Sequence, residues 1–230
     1  MPLITHEFKS PNELNEEFAK QILMILGEAI ERNGKATLAV SGGSTPKPLF
    51  KALSEKDFAW NQVQVTLVDE RWVSNDHNDS NTKLVHENLL VNYAKEAEFV
   101  SVTTTESDPV NAEQTISQRF DSMADAFDII ILGMGEDGHT ASLFPCSEQI
   151  EAGLDLSREL SAIATAPTTA PHQRMSMSLA KIIKAKHVFL HLVGAKKRDV
   201  LEDAIQNFKE IEKPIKAVVS HTNVDLMWSP

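Results

Sequence analysis

The sequence contains very little cysteine and glycine and no long apolar run. It has 230 residues but only one cysteine, Cys146, so it cannot form an internal disulfide or a multi-thiolate metal site. Nine glycines are too few for collagen-like or glycine-rich linker architectures. The longest apolar runs, residues 22–26 and 129–132, are far too short to span a membrane. These shortages favour an ordinary globular protein.

Basic residues are also scarce relative to acidic ones. The chain has 22 Lys and Arg against 33 Asp and Glu, which gives a net charge of −11. An acidic surface repels phosphate backbones and anionic lipids, so we expect neither nucleic acid nor a membrane as a partner. The first residues contain no basic segment followed by an apolar stretch, so we expect no secretory signal and a cytoplasmic protein. An anionic ligand would need a locally basic site.

Hydrophobic periodicity and capping signals predict strands that alternate with helices along the chain. The first helix is marked by a capping box, Ser10-Pro11-Asn12-Glu13, and by a left-handed stop at Gly34. The predicted strands are residues 36–40, 63–68, 99–102, 127–132, 162–166, 175–177, 187–193 and 224–228. The predicted helices are residues 11–33, one that opens at Pro46, 80–90, 109–123, 179–185, 196–208 and 215–221.

This alternation predicts a single α/β domain over residues 1–230. Strands that alternate with helices are typical of a mostly parallel open sheet with helices on both faces, which is a three-layer, Rossmann-like fold. In such sheets ligands bind beyond the carboxyl ends of the strands. Three unusual segments, residues 41–46, 69–72 and 133–140, each follow a predicted strand. Because parallel strands end at the same edge, we expect these segments to meet there.

The segment at residues 41–46 has the features of an anion-binding loop. Gly42 and Gly43 allow close approach of the backbone, Ser44 and Thr45 add hydroxyl donors, and Pro46 opens a helix whose free amides face the loop. An ordinary strand-to-helix turn with hydroxyl capping is the alternative. The segment lacks the spacing of a P-loop, G-x-x-x-x-G-K-[ST].

The segment at residues 133–138 matches the dinucleotide-binding pattern G-x-G-x-x-G. Two features weaken this match. Glu136 and Asp137 would place carboxylates beside a pyrophosphate, and Pro145 limits any helix that begins near residue 138 to about two turns. A dinucleotide site is therefore a poor interpretation of this loop.

Four side chains near these loops could carry acid–base or electrostatic chemistry. His139 can exchange a proton near neutral pH and lies next to Asp137. Arg71 could stabilise a developing oxyanion, although a local salt bridge with the preceding carboxylates would also explain it. Arg174 and Lys197 could supply positive charge that this acidic chain otherwise lacks. For His139, Arg174 and Lys197 the alternative is an ordinary surface role.

The run Asp76-His77-Asn78-Asp79 resembles a set of metal ligands. No third cluster at a recognised ligand spacing completes a site, so we interpret the run as a capping loop and expect no metal site. Cys146 has no base beside it in sequence, and we expect it to be inert.

Taken together, four motifs resemble the 6-phosphogluconolactonase family. They are S-G-G-S-T-P at residues 41–46, D-E-R-W-V at 69–73, D-S-N at 79–81 and G-M-G-E-D-G-H-T-A-S-L-F-P at 133–145. The likeness runs from about residue 37 to residue 197. It implies hydrolysis of a phosphorylated sugar lactone, 6-phosphogluconolactone, in the pentose phosphate pathway. It also implies a sheet related to that of glucosamine-6-phosphate deaminases and no metal or organic cofactor.

The expected site follows from these motifs. His139 would activate water, oriented by Asp137, Glu70 or Asp69, a choice that the sequence leaves open. Arg71 would stabilise the tetrahedral oxyanion. The residues expected to bind substrate are Gly42, Gly43, Ser44, Thr45, Asp69, Arg174 and Lys197, the last two as phosphate ligands carried over from the family pattern. The chain could act as a monomer or a homodimer.

Two alternatives come from related proteins. The deaminases resemble this chain at the first glycine loop, but they place a glutamate five residues after the histidine, where this chain has Phe144, and an aromatic residue where it has Arg71. Sugar-phosphate sensing domains would keep the phosphate loop but lose the base and the cation. Ser74 and Cys146 depart from the lactonase pattern, where proline and glycine are common, which puts loop shape in doubt.

Overall fold

The computed structural model describes residues 2–230, and over these it contains ten strands and eight α-helices. The strands are β1 (Leu3–Glu7), β2 (Ala36–Val40), β3 (Val63–Leu67), β4 (Asp69–Arg71), β5 (Glu98–Val100), β6 (Ile129–Leu132), β7 (Ala162–Thr165), β8 (Arg174–Met177), β9 (His187–Val193) and β10 (Val224–Ser229). The helices are α1 (Pro11–Asn33), α2 (Lys47–Ser54), α3 (Asn81–Asn88), α4 (Glu113–Met123), α5 (Ile150–Leu154), α6 (Leu179–Ile182), α7 (Ala195–Asn207) and α8 (Pro214–His221).

Seven strands form one parallel sheet in the order β1-β10-β9-β6-β2-β3-β5. Every residue of β2 and of β6 is buried, as expected for central strands that helices cover on both faces. The predicted three-layer, mostly parallel α/β fold is therefore confirmed. The carboxyl ends of β2 and β6, which are neighbours, place their following loops side by side.

Helix α1 illustrates how local signals set the element boundaries. The Ser10 hydroxyl accepts a hydrogen bond from the Glu13 amide, and Gly34 ends the helix with a φ of 75° in the left-handed region. The Glu13 carboxylate reaches back as a capping box requires, but it accepts from the amide of Lys9 rather than that of Ser10.

The small second sheet corrects the sequence prediction. Strands β4, β8 and β7 pair antiparallel in a separate three-stranded sheet. Residues 69–71 were expected in a loop, and residues 162–166 and 175–177 in the parallel sheet. Strands this short carry no signal that identifies their pairing partner. The two sheets join at Val68, whose carbonyl accepts the Met177 amide at 2.8 Å while its own amide donates to Val40 of the large sheet.

Two further elements, besides β4, have no counterpart in the prediction. Strand β1 pairs with β10 at the sheet edge and is largely exposed, so it lacks the apolar run that marks a buried strand. Helix α5 has only five residues, too few for a helical period to emerge. The predicted helix at 109–123 begins instead with a 3₁₀ turn, Pro109–Ala112, that leads into α4. Within residues 2–230, none of the helices combines the length and apolarity needed to cross a bilayer.

Candidate active site

A cavity of about 890 Å³ opens where the carboxyl ends of β2 and β6 face the small sheet. Ten of the residues expected in catalysis or substrate binding line this one cavity, and of the candidates only Glu70, a possible orienter of His139, does not. The ten are Gly42, Gly43, Ser44, Thr45, Asp69, Arg71, Asp137, His139, Arg174 and Lys197. Residues from segments far apart in sequence therefore meet at the edge where parallel α/β sheets bind ligands.

The loop after β6 holds a histidine–aspartate pair. The His139 Nδ1 lies 2.5 Å from the Asp137 Oδ1, and the same carboxylate oxygen accepts the His139 amide at 3.1 Å. Burial by itself would raise the pKa of the Asp137 carboxyl, but the hydrogen bond and charge of His139 outweigh it and hold that pKa below its usual range. Because a carboxylate only accepts, the neutral imidazole in this pair would carry its hydrogen on Nδ1 and keep a free lone pair on Nε2. This arrangement suits a general base.

Close packing holds the imidazole in place. Its ring stacks on Phe144 with centroids 3.9 Å apart and planes inclined by 21°. On the other side, a Cβ added at Gly135 would lie 2.1 Å from Nδ1 of His139 and 2.5 Å from the Asp137 Oδ1. Only glycine therefore fits at position 135. The chain then passes into the short β-bridge Thr140–Leu143, and the next helix in the described residues after residue 139 is α5. A dinucleotide site would need a helix here.

The loop after β2 offers unused backbone donors. Hydrogen bonds within residues 2–230 leave the amides of Gly42, Gly43, Ser44 and Thr45 without acceptors, and α2 starts directly after them. In the same loop, the Ser41 hydroxyl donates to the Ile131 carbonyl at 3.0 Å and accepts from the Gly133 amide at 3.2 Å. That side chain ties the two glycine loops together. Free amides at the start of a helix form an anion-binding surface.

The small sheet contributes two arginines directly opposite each other. Arg71 of β4 and Arg174 of β8 are cross-strand partners, which brings like charges together. Arg174 is only 5% exposed, and burial lowers its pKa while the charge of Asp69 opposes that shift. Each guanidinium donates to one carbonyl, Arg71 to that of Asp79 and Arg174 to that of Pro171. The buried Nε atoms of both arginines have no partner among residues 2–230. Both arginines line the cavity, so their guanidinium charges are available to an anion that binds there.

The structure distinguishes the three carboxylates that could orient His139. Glu70 is fully buried and caps α3; it accepts from the amides of Arg71, Asn81 and Thr82 and from the Ser80 hydroxyl. Asp69 accepts the Ser142 hydroxyl at 2.5 Å. Asp137 alone of the three bonds to the ring of His139. Glu70 instead anchors the segment that carries Arg71.

Lys197 approaches the cavity from the opposite end of the chain. It lies in the first turn of α7, and its Nζ donates to the Met134 carbonyl at 2.7 Å. The ammonium therefore sits beside the loop that carries His139, with two further donors available.

Sequence reasoning missed two residues of the cavity wall. The side-chain amide of Asn81 donates to the Asp69 carbonyl through Nδ2. Its Oδ1 lies so close to Gly42 that a Cβ added there would clash with it. The D-S-N motif at 79–81 was the available signal, but it marked only a likeness. His191 of β9 is 3% exposed with both ring nitrogens unpartnered among the described residues, and burial lowers its pKa to about 4. A histidine inside an apolar strand was the overlooked signal.

Comparison with known proteins identifies relatives over almost the whole chain. A model of the family "Glucosamine-6-phosphate isomerases/6-phosphogluconolactonase" matches residues 9–228. The 6-phosphogluconolactonase of Neisseria meningitidis serogroup A is 39% identical over 227 residues, which cover 96% of each chain. The crystal structure of a 6-phosphogluconolactonase from Shewanella baltica OS155 matches with a TM-score of 0.96 at 39% identity, covering 100% of this chain and 98% of that one.

A monomeric glucosamine-6-phosphate deaminase also matches, with a TM-score of 0.83 at 16% identity over 99% of this chain and 97% of that one. At this identity the likeness shows the fold alone. It confirms the expected relation between this sheet and that of the deaminases.

Proposed function

The chain belongs to the glucosamine-6-phosphate isomerase/6-phosphogluconolactonase family, and on that premise we propose that it hydrolyses 6-phospho-D-glucono-1,5-lactone to 6-phospho-D-gluconate. Residues 1–230 would act as one lactonase domain. The observation that carries this proposal is the His139–Asp137 pair, which shares a cavity with two opposed arginines. A base and fixed cations are what ester hydrolysis of an anionic substrate needs.

The first chemical step uses the free lone pair of His139. A water molecule attacks the C1 carbonyl of the lactone while Nε2 of His139 takes its proton, and the new C–O bond converts the carbonyl into a tetrahedral oxyanion. Asp137 holds Nδ1–H and stabilises the imidazolium that forms. The oxyanion then collapses, the bond between C1 and the ring oxygen breaks, and the imidazolium returns the proton to that oxygen. The product carries a carboxylic acid and a hydroxyl group.

Fixed positive charge stabilises the oxyanion. Arg71 is held by the Asp79 carbonyl and by the Glu70-capped segment that it follows, so it needs little reorganisation as charge develops. Its rigid fork of N–H donors is better suited to this task than a mobile lysine.

The phosphate group is proposed to bind in the same cavity, at the loop after β2. Unused amides of residues 42–45 offer backbone donors, to which Arg174 and Lys197 add charge. These groups make a local cationic site in a chain whose net charge is −11. A phosphorylated sugar would be recognised by its phosphate and positioned for attack at the lactone.

Deamination of an amino sugar phosphate fits this cavity less well. The position five residues after His139 holds Phe144, and its ring fills the space against the imidazole. No carboxylate at that position can assist ring opening.

The direct test is hydrolysis of freshly prepared 6-phosphogluconolactone, followed by coupled 6-phosphogluconate dehydrogenase, with spontaneous opening subtracted. We expect turnover above the spontaneous rate, and His139→Ala to lower kcat by about 10²–10⁴-fold because the general base is lost. The matched control is His221→Ala. Its Nε2 lies 3.2 Å from Glu210, so it is also a histidine–carboxylate pair, but it does not line the cavity.

Each result has a distinct meaning. Turnover that falls in His139→Ala and persists in His221→Ala supports both the reaction and the base. Unchanged turnover in His139→Ala would discard His139 while keeping the reaction. Without turnover above the spontaneous rate, the proposed function fails.

A further inference from the structure

We propose that His77, Asp79 and His172 bind one divalent transition-metal ion of the zinc class at the mouth of the cavity. The sequence showed only the run at residues 76–79 and no third ligand at a recognised spacing. The fold supplies that ligand from a segment 93 residues further along the chain. This inference does not depend on the proposed hydrolysis.

The three side chains already lie within a metal-binding distance of one another. Nε2 of His172 is 3.0 Å from the Asp79 Oδ2, the His77 Nδ1 is 3.8 Å from the same oxygen, and the three ligand atoms all lie within 4.8 Å. Zinc ligands at 2.0–2.1 Å in a tetrahedral site are separated by about 3.3 Å. Small side-chain rotations would therefore close the site around an ion.

The donor set selects the class of metal. Two imidazoles and one carboxylate suit Zn²⁺, Co²⁺ or Ni²⁺, whereas Ca²⁺ and Mg²⁺ prefer sites made of oxygen ligands. His77 and Asp79 are exposed and His172 is partly buried, so an ion can reach them from solvent. Water would fill the remaining coordination position.

Backbone geometry presents His172 to the other two ligands. It adopts a φ of 68° in the turn between β7 and β8, a left-handed conformation that histidine tolerates better than most residues. Its ring meets that of His77 edge-on with centroids 5.5 Å apart. The His77 Nδ1 now accepts the Asp79 amide at 3.0 Å, and an ion ligated through this nitrogen would replace that hydrogen bond.

The position of the site gives the ion a structural role. His77 and Asp79 belong to the segment after β4, and His172 belongs to the turn before β8. These are the two strands that carry the opposed arginines. An ion held by both segments would fasten them together beside Arg71, whose guanidinium donates to the Asp79 carbonyl. Binding to the folded state alone would also raise the temperature of unfolding.

The test is a calorimetric titration of the EDTA-stripped, dialysed protein with ZnCl₂, with CaCl₂ as the comparison ion. We expect one equivalent of zinc to bind and calcium not to bind at the same concentrations. His77→Ala and His172→Asn should each weaken zinc binding about tenfold or more, because each removes a ligand. Asparagine tolerates the left-handed backbone at position 172, so this variant should keep its fold. Co²⁺ titration gives a second readout, since the intensity of its visible absorption rises when it leaves octahedral water for a four-coordinate protein site.

His221→Ala is again the matched control, because it removes a partly buried histidine paired with a carboxylate elsewhere. Zinc binding that is retained in this variant and weakened in the other two supports the site. Equal zinc binding in all variants would overturn it, as would binding that only His139→Ala abolishes. Lactone turnover without added metal is measured on the same samples. If the unmutated protein hydrolyses the lactone but binds no zinc, only the metal site is rejected; if it binds zinc but shows no turnover, only the hydrolysis is rejected.

Discussion

The two sheets contribute to the cavity in different ways. The seven-stranded parallel sheet contributes loop residues: unused amides after β2 and the His139–Asp137 pair after β6. The three-stranded antiparallel sheet contributes strand residues, since Arg71 and Arg174 occupy paired positions in β4 and β8. Loops let backbone groups approach a ligand closely, whereas a strand pair fixes two side chains at one spacing. The site combines both devices.

After the loss of the base His139, the largest effect should come from the small sheet. We expect Arg71→Met to lower kcat about 10²–10³-fold, as loss of an oxyanion donor does, and Arg174→Met mainly to raise KM. Steady-state kinetics of both variants tests this division of roles. Arg32→Met, which removes an exposed arginine in the last turn of α1, is the control. If both arginine variants retained normal kinetics, the small sheet would not supply the charge that we propose for catalysis and substrate binding.

The next prediction concerns the stability of the large sheet, where β9 buries His191. Its pKa of about 4 in the folded protein lies below the value of about 6.5 for an unfolded chain. The unfolded state therefore binds the extra proton between these pH values, and the free energy of unfolding falls as pH decreases from 6.5 to 4. In the His191→Leu variant, the decrease in the free energy of unfolding over this pH range should be smaller by up to about 3 kcal/mol. Urea unfolding at pH 7 and pH 4.5 measures this decrease for the unmutated protein and for His191→Leu. The same decrease in both proteins would contradict the prediction.

A smaller loss should follow from crowding the loop after β6. Gly135→Ala places a methyl group against His139 and Asp137, and displacement of a catalytic group by about 1 Å can lower kcat by up to 10²-fold. Gly133→Ala is the matched control, because nothing lies within 4 Å of the added Cβ there. Normal kinetics in both variants would show that the pair tolerates displacement.

The smallest expected effect concerns a contact between Cys146, which follows the His139 loop, and the turn of the small sheet between β7 and β8. The Cys146 Sγ lies 3.2 Å from the hydroxyl of Thr169 in the β7–β8 turn. Burial would raise the thiol pKa, but hydrogen bonds with Thr169 and Thr168 lower it to about 7. Alkylation by iodoacetamide should therefore show its midpoint near pH 7, because the thiolate is the nucleophile. Thr169→Val should move that midpoint upward. A wild-type midpoint near pH 8.5, the value of an unperturbed thiol, would refute the prediction. Such reactivity would also correct the expectation that Cys146 is inert.

The contrast between the sheets also explains what the sequence could predict. Periodicity and caps located β2, β6 and β9 and the loops that follow the first two, because buried parallel strands are apolar and their loops contain glycine. The pairing of β4 with β8 left no such trace, since three or four residues carry no period and the partner is about 100 residues away. The arginines were therefore recognised by type and motif, without their opposed geometry.

Contacts that depend on folding were equally hidden. Asp137 could not be chosen over Glu70 from sequence, because all three candidate carboxylates adjoin the loops. The capping of α3 by Glu70 becomes visible only when Ser80, Asn81 and Thr82 lie against it. The approach of His172 to Asp79 likewise depends on the β7–β8 turn.

The cavity also depends on contacts between residues far apart in the chain. Ser41 meets Ile131 across 90 residues, and Ser142 meets Asp69 across 73. Closing such long loops costs entropy before any contact repays it, which slows the formation of non-local structure. Helices such as α1 need only local contacts and should form early. During refolding from urea, the far-ultraviolet helical signal should therefore return before enzymatic activity, because the working cavity is among the last parts of the molecule to assemble.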